Sequence, residues 1–397
     1  MRIGPRLLRT VAVVTLVTAW TITIVGPVRG ATPNAHEASP SSPNPSPRFN
    51  ILYGVSADSG TDAWAVGEFL NTRNSTYDTL VLHWDGTAWS KVASPNPGVD
   101  NVLTGVSADS ETDAWAVGSY FTKAANTTDT LLIHWNGVSW LQVASPDPAA
   151  DNELQGVSAD SSTDAVAVGY DFPPPSGHAR TLVAHWDGSS WSSVKSPSPV
   201  SSGVFLRAVS AYSSTDAVAV GEYFNDATNS YDTLTLHWDG SVWSTVPSPN
   251  PSAGDNYLFS VSATSGTSAW AVGYDRSHGR RTLVLHWNGT AWSVVASPNP
   301  TRECFLQAVS ADSDVDAWAA GYFLRTDSSN KTLILHWDGT SWSRTHSPSP
   351  RRLNFLQLSG VSADSATDAW AVGFGQTSDG NDKTVILHWN GTSWSRV

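Results

Sequence analysis

One cysteine, Cys304, is all the thiol chemistry in 397 residues, so no disulfide can form within the chain and its stability has to come from packing. Basic residues are also scarce, 22 against 35 acidic ones. That imbalance disfavours a polyanionic partner, and no nucleic acid is expected as a ligand. Long apolar runs are absent except for one near the start, from Val11 to about Gly26, which Arg2, Arg6 and Arg9 precede and Val28-Arg29-Gly30 follows. The run falls short of the ~20 residues a spanning helix needs and is diluted by threonine, so residues 1–30 read as a secretory signal peptide. No cysteine follows it to carry a lipid, and no second apolar run follows it downstream. The mature chain is therefore expected to be secreted, soluble and extracellular, with no membrane insertion. Its removal takes four arginines and no acid, leaving 18 basic against 35 acidic residues, a formal charge of −17.

What the chain has in abundance is repetition. His-Trp recurs seven times, at His83, His134, His185, His237, His286, His336 and His388, at intervals of 49 to 52 residues. That period matches one four-stranded propeller blade. Each copy runs from Val-Ser-Ala through Asp-Ala-Trp-Ala-Val-Gly and Thr-Leu-Val-Leu-His-Trp-Asp-Gly to Trp-Ser and Ser-Pro-Asn-Pro, with small variations. Asp62 to Gly67 and Thr79 to Trp84 alternate with a period of two but carry apolar groups on both faces, as in a sheet covered on both sides. Asp85-Gly86, or Asn-Gly in three other copies, predicts a tight hairpin with both residues at positive φ. Ser94-Pro95-Asn96-Pro97 ends the fourth strand, because proline cannot donate to a ladder. The fold class is all-β: a seven-bladed propeller with four antiparallel strands per blade. Blades are expected at about 48–97, 98–148, 149–199, 200–251, 252–300, 301–350 and 351–397, after a Pro/Ser-rich lead-in at 31–47.

Ala65-Val66-Gly67 and Trp84-Asp85-Gly86-Thr87-Ala88-Trp89 resemble the repeats of kelch-type propellers, over about residues 48–397. Kelch repeats usually carry a second glycine after the second strand; here Glu68, Ser119, Tyr170, Glu222, Tyr274, Tyr322 and Phe374 stand in its place. The resemblance implies architecture more than activity, since kelch-like rings include binding proteins and oxidases alike. The seventh repeat lacks a Ser-Pro-Asn-Pro segment after Trp394-Ser395, while a spare copy, Ser42-Pro43-Asn44-Pro45, precedes the first. The lead-in is therefore expected beside the end of blade seven, closing the ring.

Most residues with chemical promise belong to the repeated frame. Nineteen of the 20 tryptophans lie in His-Trp, Trp-Ser or Ala-Trp, and the last, Trp20, lies in the leader, so a tryptophan-lined sugar site is not expected. The framed histidines stand on seven blades, roughly 10 Å outside the inner strands, and cannot converge on one metal. Each imidazole is expected to bond a neighbouring turn or the adjacent blade. Paired acids such as Asp58 with Asp62 and Asp109 with Asp113 are read as turn caps, lacking the further oxygens of a calcium loop. No metal and no cofactor are expected.

Function should lie where the repeats disagree, in the loop after the second strand (Glu68 to Asp78 in the first copy) and in the linker between repeats. Both open on one face of an up-and-down ring, and loops on a rigid scaffold are where recognition usually sits. On that face blades one to four contribute acids, including Glu68, Glu153, Asp171 and Glu222, while blades five to seven contribute Arg276, Arg280, Arg281, Arg302, Arg325, Arg351 and Arg352. Guanidinium groups match carboxylate, sulfate or phosphate oxygens in pairs. The ligand-binding residues expected are Arg276, Arg280, Arg281, Arg302, Arg351 and Arg352 for anions, with Tyr274 and Tyr322 as stacking platforms. The chain is expected to be a monomeric, non-catalytic binding protein for an extracellular glycan or surface protein, with an anionic ligand in view. The alternative is a propeller enzyme acting on glycans, a carboxylate-based hydrolase or lyase, or less readily a copper oxidase using His178, His278 or Cys304.

Overall fold

The computed structural model describes residues 42–397, save 176, 201 and 351; the leader at 1–30 and the first part of the lead-in lie outside the described residues. Among the described residues, twenty-eight strands form seven four-stranded antiparallel sheets, each of four consecutive strands. In blade one these are β1 (Asn50–Ser59), β2 (Asp62–Asn71), β3 (Thr76–Trp84) and β4 (Trp89–Val92). The pattern repeats through to β28 (Trp394–Arg396). Each first strand packs against the first strands of both neighbouring blades and lines a central channel.

A hydrogen-bonded hoop around this channel closes the ring. The serine of each Val-Ser-Ala accepts the backbone N–H of the matching alanine one blade on, from Ser56 with Ala108 to Ser362 with Ala57, all at 3.0 Å. Seven equal bonds require seven equivalent inner strands. Further out, the second-strand tryptophan of one blade wedges between the two tryptophans that flank the next blade's hairpin. Trp64 meets Trp135 and Trp140 at 4.8 and 5.0 Å, and Trp370 meets Trp84 and Trp89 in the same way across the chain's two ends. Trp64 and Trp370 have no exposed surface, which places them among the largest hydrophobic contributions in the molecule. In blades three and four the wedge is only Val166 or Val218.

The histidines and acids of the frame have a different role from the one their spacing suggests. His83 Nε2 lies 2.6 Å from Asp62 Oδ1 in its own blade, not on a neighbouring turn or blade, and its ring stacks on Trp64 at 4.2 Å. The same pair forms in five other blades, and in blade five Ser268 takes the place of the aspartate beside His286. Asp62 is therefore a histidine partner, not a turn cap; Ser59 and Thr61 bond each other across that turn. The Asp85-Gly86 turn also differs from expectation. Only Gly86 has positive φ, 85°, while Asp85 Oδ1 accepts from the backbone N–H groups of Thr87 and Ala88 at 2.9 Å, capping a four-residue connection. The glycine that ends Ala-Val-Gly answers to close approach, because a Cβ on Gly67 would stand 2.0 Å from the Ile51 carbonyl oxygen, beside the bulge between Leu52 and Gly54.

Candidate functional site

The β1–β2 and β3–β4 turns lie at one end of the ring; the β2–β3 loops and the linkers between blades lie at the other. The variable segments therefore share one face, although their extent is smaller than expected. β2 and β3 stay paired out to Asn71 and Thr76, leaving only residues 72–75 as loop, so Glu68 sits within a strand. Glu153, Asp171 and Glu222 are each buried, and none is a surface acid of the rim.

Among the expected arginines the structure separates paired from unpaired cations. Arg276 bonds Asp255 at 3.0 Å, and Arg280 bonds Glu303 at 2.7 Å while lying 5.6 Å over the Phe305 ring. Both are anchors between a β2–β3-type loop and a linker, not open anion contacts. Arg281, at the start of β19 (Arg281–Trp287), and Arg302, in the linker into blade six, are exposed and form no ion pair among the described residues. They line one shallow depression of about 560 Å³ together with His278, Gly279 and Glu303. Arg352 is exposed in the linker into blade seven and forms no ion pair among the described residues, and Arg351 lies outside them. Cys304 is buried and donates to the Thr301 carbonyl.

Neither tyrosine is an open platform. Tyr274 is 7% exposed, its ring 4.9 Å from Tyr257, 5.0 Å from Phe305 and 5.7 Å from Phe259. Tyr322 stacks on Phe305 at 4.6 Å and 14°. Tyr274 packs across the seam onto Phe305 of the next blade and Tyr322 onto Phe305 across its own sheet, so the aromatic area of both is spent on packing.

The inner strands, away from the variable loops, also differ from blade to blade at one position. Three positions of each line the channel, except in blade six, where Gln307 and Ala308 alone do so; the channel has a volume of about 170 Å³. Nearest the variable face stands a collar of Tyr53, Thr104, Gln155, Arg207, Phe259, Gln307 and Ser359, one from each blade. The next level is glycine, alanine or serine in every blade, and the third is valine in all seven repeats, lining the channel in every blade but the sixth. Small residues are required at the middle level because adjacent strands nearly touch: a Cβ on Gly54 would lie 3.3 Å from the Gly105 Cα.

Behind the collar lies a belt of buried charge. Arg207 Nε and Nη2 donate to Glu222 Oε1 at 3.0 and 2.5 Å. Burial opposes the charged form of Arg207, yet Glu222 beside it carries the guanidinium above its ordinary value. Tyr53 donates its phenol proton to Glu68 at 2.8 Å, and Tyr170 to Glu153 at 2.6 Å. Burial pushes the Glu68 carboxyl up to about 7, against the Tyr53 hydrogen bond and with some help from Asp100. Burial likewise raises Glu153, against the pull of Tyr170 and Arg207. Arg207 carried a signal in the sequence. It stands two residues before Val209-Ser210-Ala211, at an inner-strand position where seven otherwise similar repeats show six residue types.

No family model matches the chain, so the kelch resemblance rests on its residues alone, and no curated protein matches either. Solved structures do match in shape. YCF48 bound to D1 peptide is 13% identical at a TM-score of 0.52, covering 86% of this chain and 94% of its own. YCF48 from Cyanidioschyzon merolae is 16% identical at 0.51, covering 87% and 97%. An ulvanlyase, from a new family of polysaccharide lyase (PL25), is 10% identical at 0.52, covering 88% and 97%. At such identities the likeness is one of fold: this chain is a β-propeller, a class that includes both binding proteins and enzymes.

Proposed function

We propose that the mature chain is a secreted, non-catalytic binding protein that recognises an anionic extracellular ligand, a glycan before a protein, through the variable face. The observation that carries this reading is the depression where Arg281 and Arg302 stand exposed without carboxylate partners while the neighbouring Arg276 and Arg280 are paired. Unpaired guanidinium groups on a fixed scaffold offer forked donors to a carboxylate or sulfate without first breaking an internal ion pair. The leader-like segment at residues 1–30 supports an extracellular setting. YCF48 with its bound D1 peptide shows that a ring of this shape can hold a partner, although its partner is its own.

The test is retention of the mature chain on a glycan array containing uronic acid and sulfated glycans beside their neutral counterparts. Retention on the acidic set, abolished by Arg281→Glu with Arg302→Glu at unchanged melting temperature, is the expected result. Equal retention by the double variant, or none by the parent, overturns the anion reading. Turnover of any arrayed glycan overturns the non-catalytic one.

A further inference from the structure

We infer that the collar at the channel mouth is a second binding site, which takes one neutral, polyhydroxylated residue such as a sugar ring or a small polyol. The inference rests on the reading that the variable face is the recognition side, and it concerns a place apart from the arginine depression. Three observations carry it.

The first is the distribution of difference. Down the channel the blades agree at the small-residue level and again at the valine level, because neighbouring strands pack there. At the collar, seven equivalent places on equivalent strands carry six residue types, with glutamine alone used twice, at Gln155 and Gln307. Packing alone would have been met by repeating one residue type, as it is with valine two positions further in.

The second is the state of the polar atoms. The Gln307 amide makes no hydrogen bond among the described residues, and neither does Arg207 Nη1. Ser359 Oγ, which is buried, is likewise without a partner among the described residues. Gln155 donates only to Glu153, at 3.3 Å, which leaves its carbonyl oxygen free, and the Tyr53 oxygen, donating to Glu68, can still accept. The collar thus offers donors and acceptors interleaved around one opening. A hydroxyl is both donor and acceptor, so a molecule with several hydroxyls satisfies such a set, whereas a carboxylate, which only accepts, does not.

The third is charge and shape. The one charged side chain in the collar, Arg207, is neutralised by Glu222, so no net charge remains to select an ion. Phe259, stacked on Tyr257 at 6.0 Å and 6°, gives the opening one apolar wall against which the C–H face of a sugar can lie. The whole channel, from collar to valine level, has a volume of about 170 Å³, that of roughly six waters, which matches a single small ring and not a chain of them.

The experiment is saturation-transfer NMR on the mature chain with glucose, galactose, mannose, fucose, N-acetylglucosamine and glycerol, and with N-acetylglycine amide to represent a peptide. Transfer to at least one sugar or to glycerol is expected, weakened about tenfold by Gln307→Ala and by Phe259→Ala, a loss of the order of one good hydrogen bond or stacking contact. Gln155→Ala, a change that leaves the aromatic packing intact, guards against a fold defect in the Phe259 variant, and melting temperature is followed for all three. Arg281→Glu with Arg302→Glu should leave this transfer unchanged. No transfer to any sugar or to glycerol, transfer to the amide alone, or transfer that survives all three collar substitutions overturns the inference. Loss of array retention in the rim double variant, alongside such a failure, would sink the collar and leave the proposed function standing; failure of both experiments would sink both.

Discussion

Glu68 shows how far a single side chain can depart from what its sequence neighbours suggest. As a charged residue just past an Ala-Val-Gly strand it reads as rim, yet it is held inside the sheet by Tyr53. Its carboxyl keeps a proton up to about pH 7 in the folded chain, against 4.5 as the ordinary value. Between those two pH values the folded state binds more protons than the unfolded one, so this group makes stability fall as pH rises through the window. The loss is at most about 3 kcal/mol. Glu68→Gln removes the titration while keeping the shape, so urea midpoints followed from about pH 5 to about pH 8 should decline less in the variant than in the parent. Parallel declines would mean that Glu68 is charged and solvated in the folded chain.

At the scale of elements, residues 42–48 are the most informative segment. Thr384 in blade seven donates its N–H to Asn44 Oδ1 at 2.9 Å, and its hydroxyl lies 2.7 Å from Ser42 Oγ. Thr79 in blade one makes the same bonds to Asn96 and Ser94, both at 2.7 Å. Asp382 N–H adds a bond to the Arg48 carbonyl at 2.7 Å. The first residues of the ring thus hold blade seven as each linker holds its own blade. Asn44→Ala should cost about 1–3 kcal/mol, the price of a buried N–H left unpaired, and Asn96→Ala should cost the same. Thermal or urea unfolding of the two variants checks the equivalence; a neutral Asn44→Ala beside a costly Asn96→Ala would deny the segment a closing role.

Much at this scale was legible in advance, and for a physical reason. Strand period, hairpin dipeptides and proline stops are local properties, and seven copies average out their exceptions. What stayed hidden depends on contacts between strands. Nothing in His83 and Asp62, 21 residues apart, says that they meet across β2 and β3. The β2–β3 loop looked longer than it is because Phe69, Leu70 and Tyr77 continue the ladder after the repeated motif has stopped. The collar was missed because its individuality lies on the strand assumed to be most uniform.

For the whole molecule, charge follows the same division as sequence. The turns at the uniform end, with the strand ends that flank them, carry 17 of the 35 acids, including Asp58, Asp109, Asp160, Asp312 and Asp364, and no lysine or arginine. The exposed cations Arg281, Arg302 and Arg352 all stand at the opposite end. Such a field turns an anionic ligand away from one face and leaves the other as its approach. Amide hydrogen exchange of the mature chain, with and without the glycan it retains most strongly, tests this most directly. Protection concentrated in residues 276–281 and 299–307 is the predicted result; protection confined to the uniform turns, such as residues 59–62 and 84–89, would contradict the account.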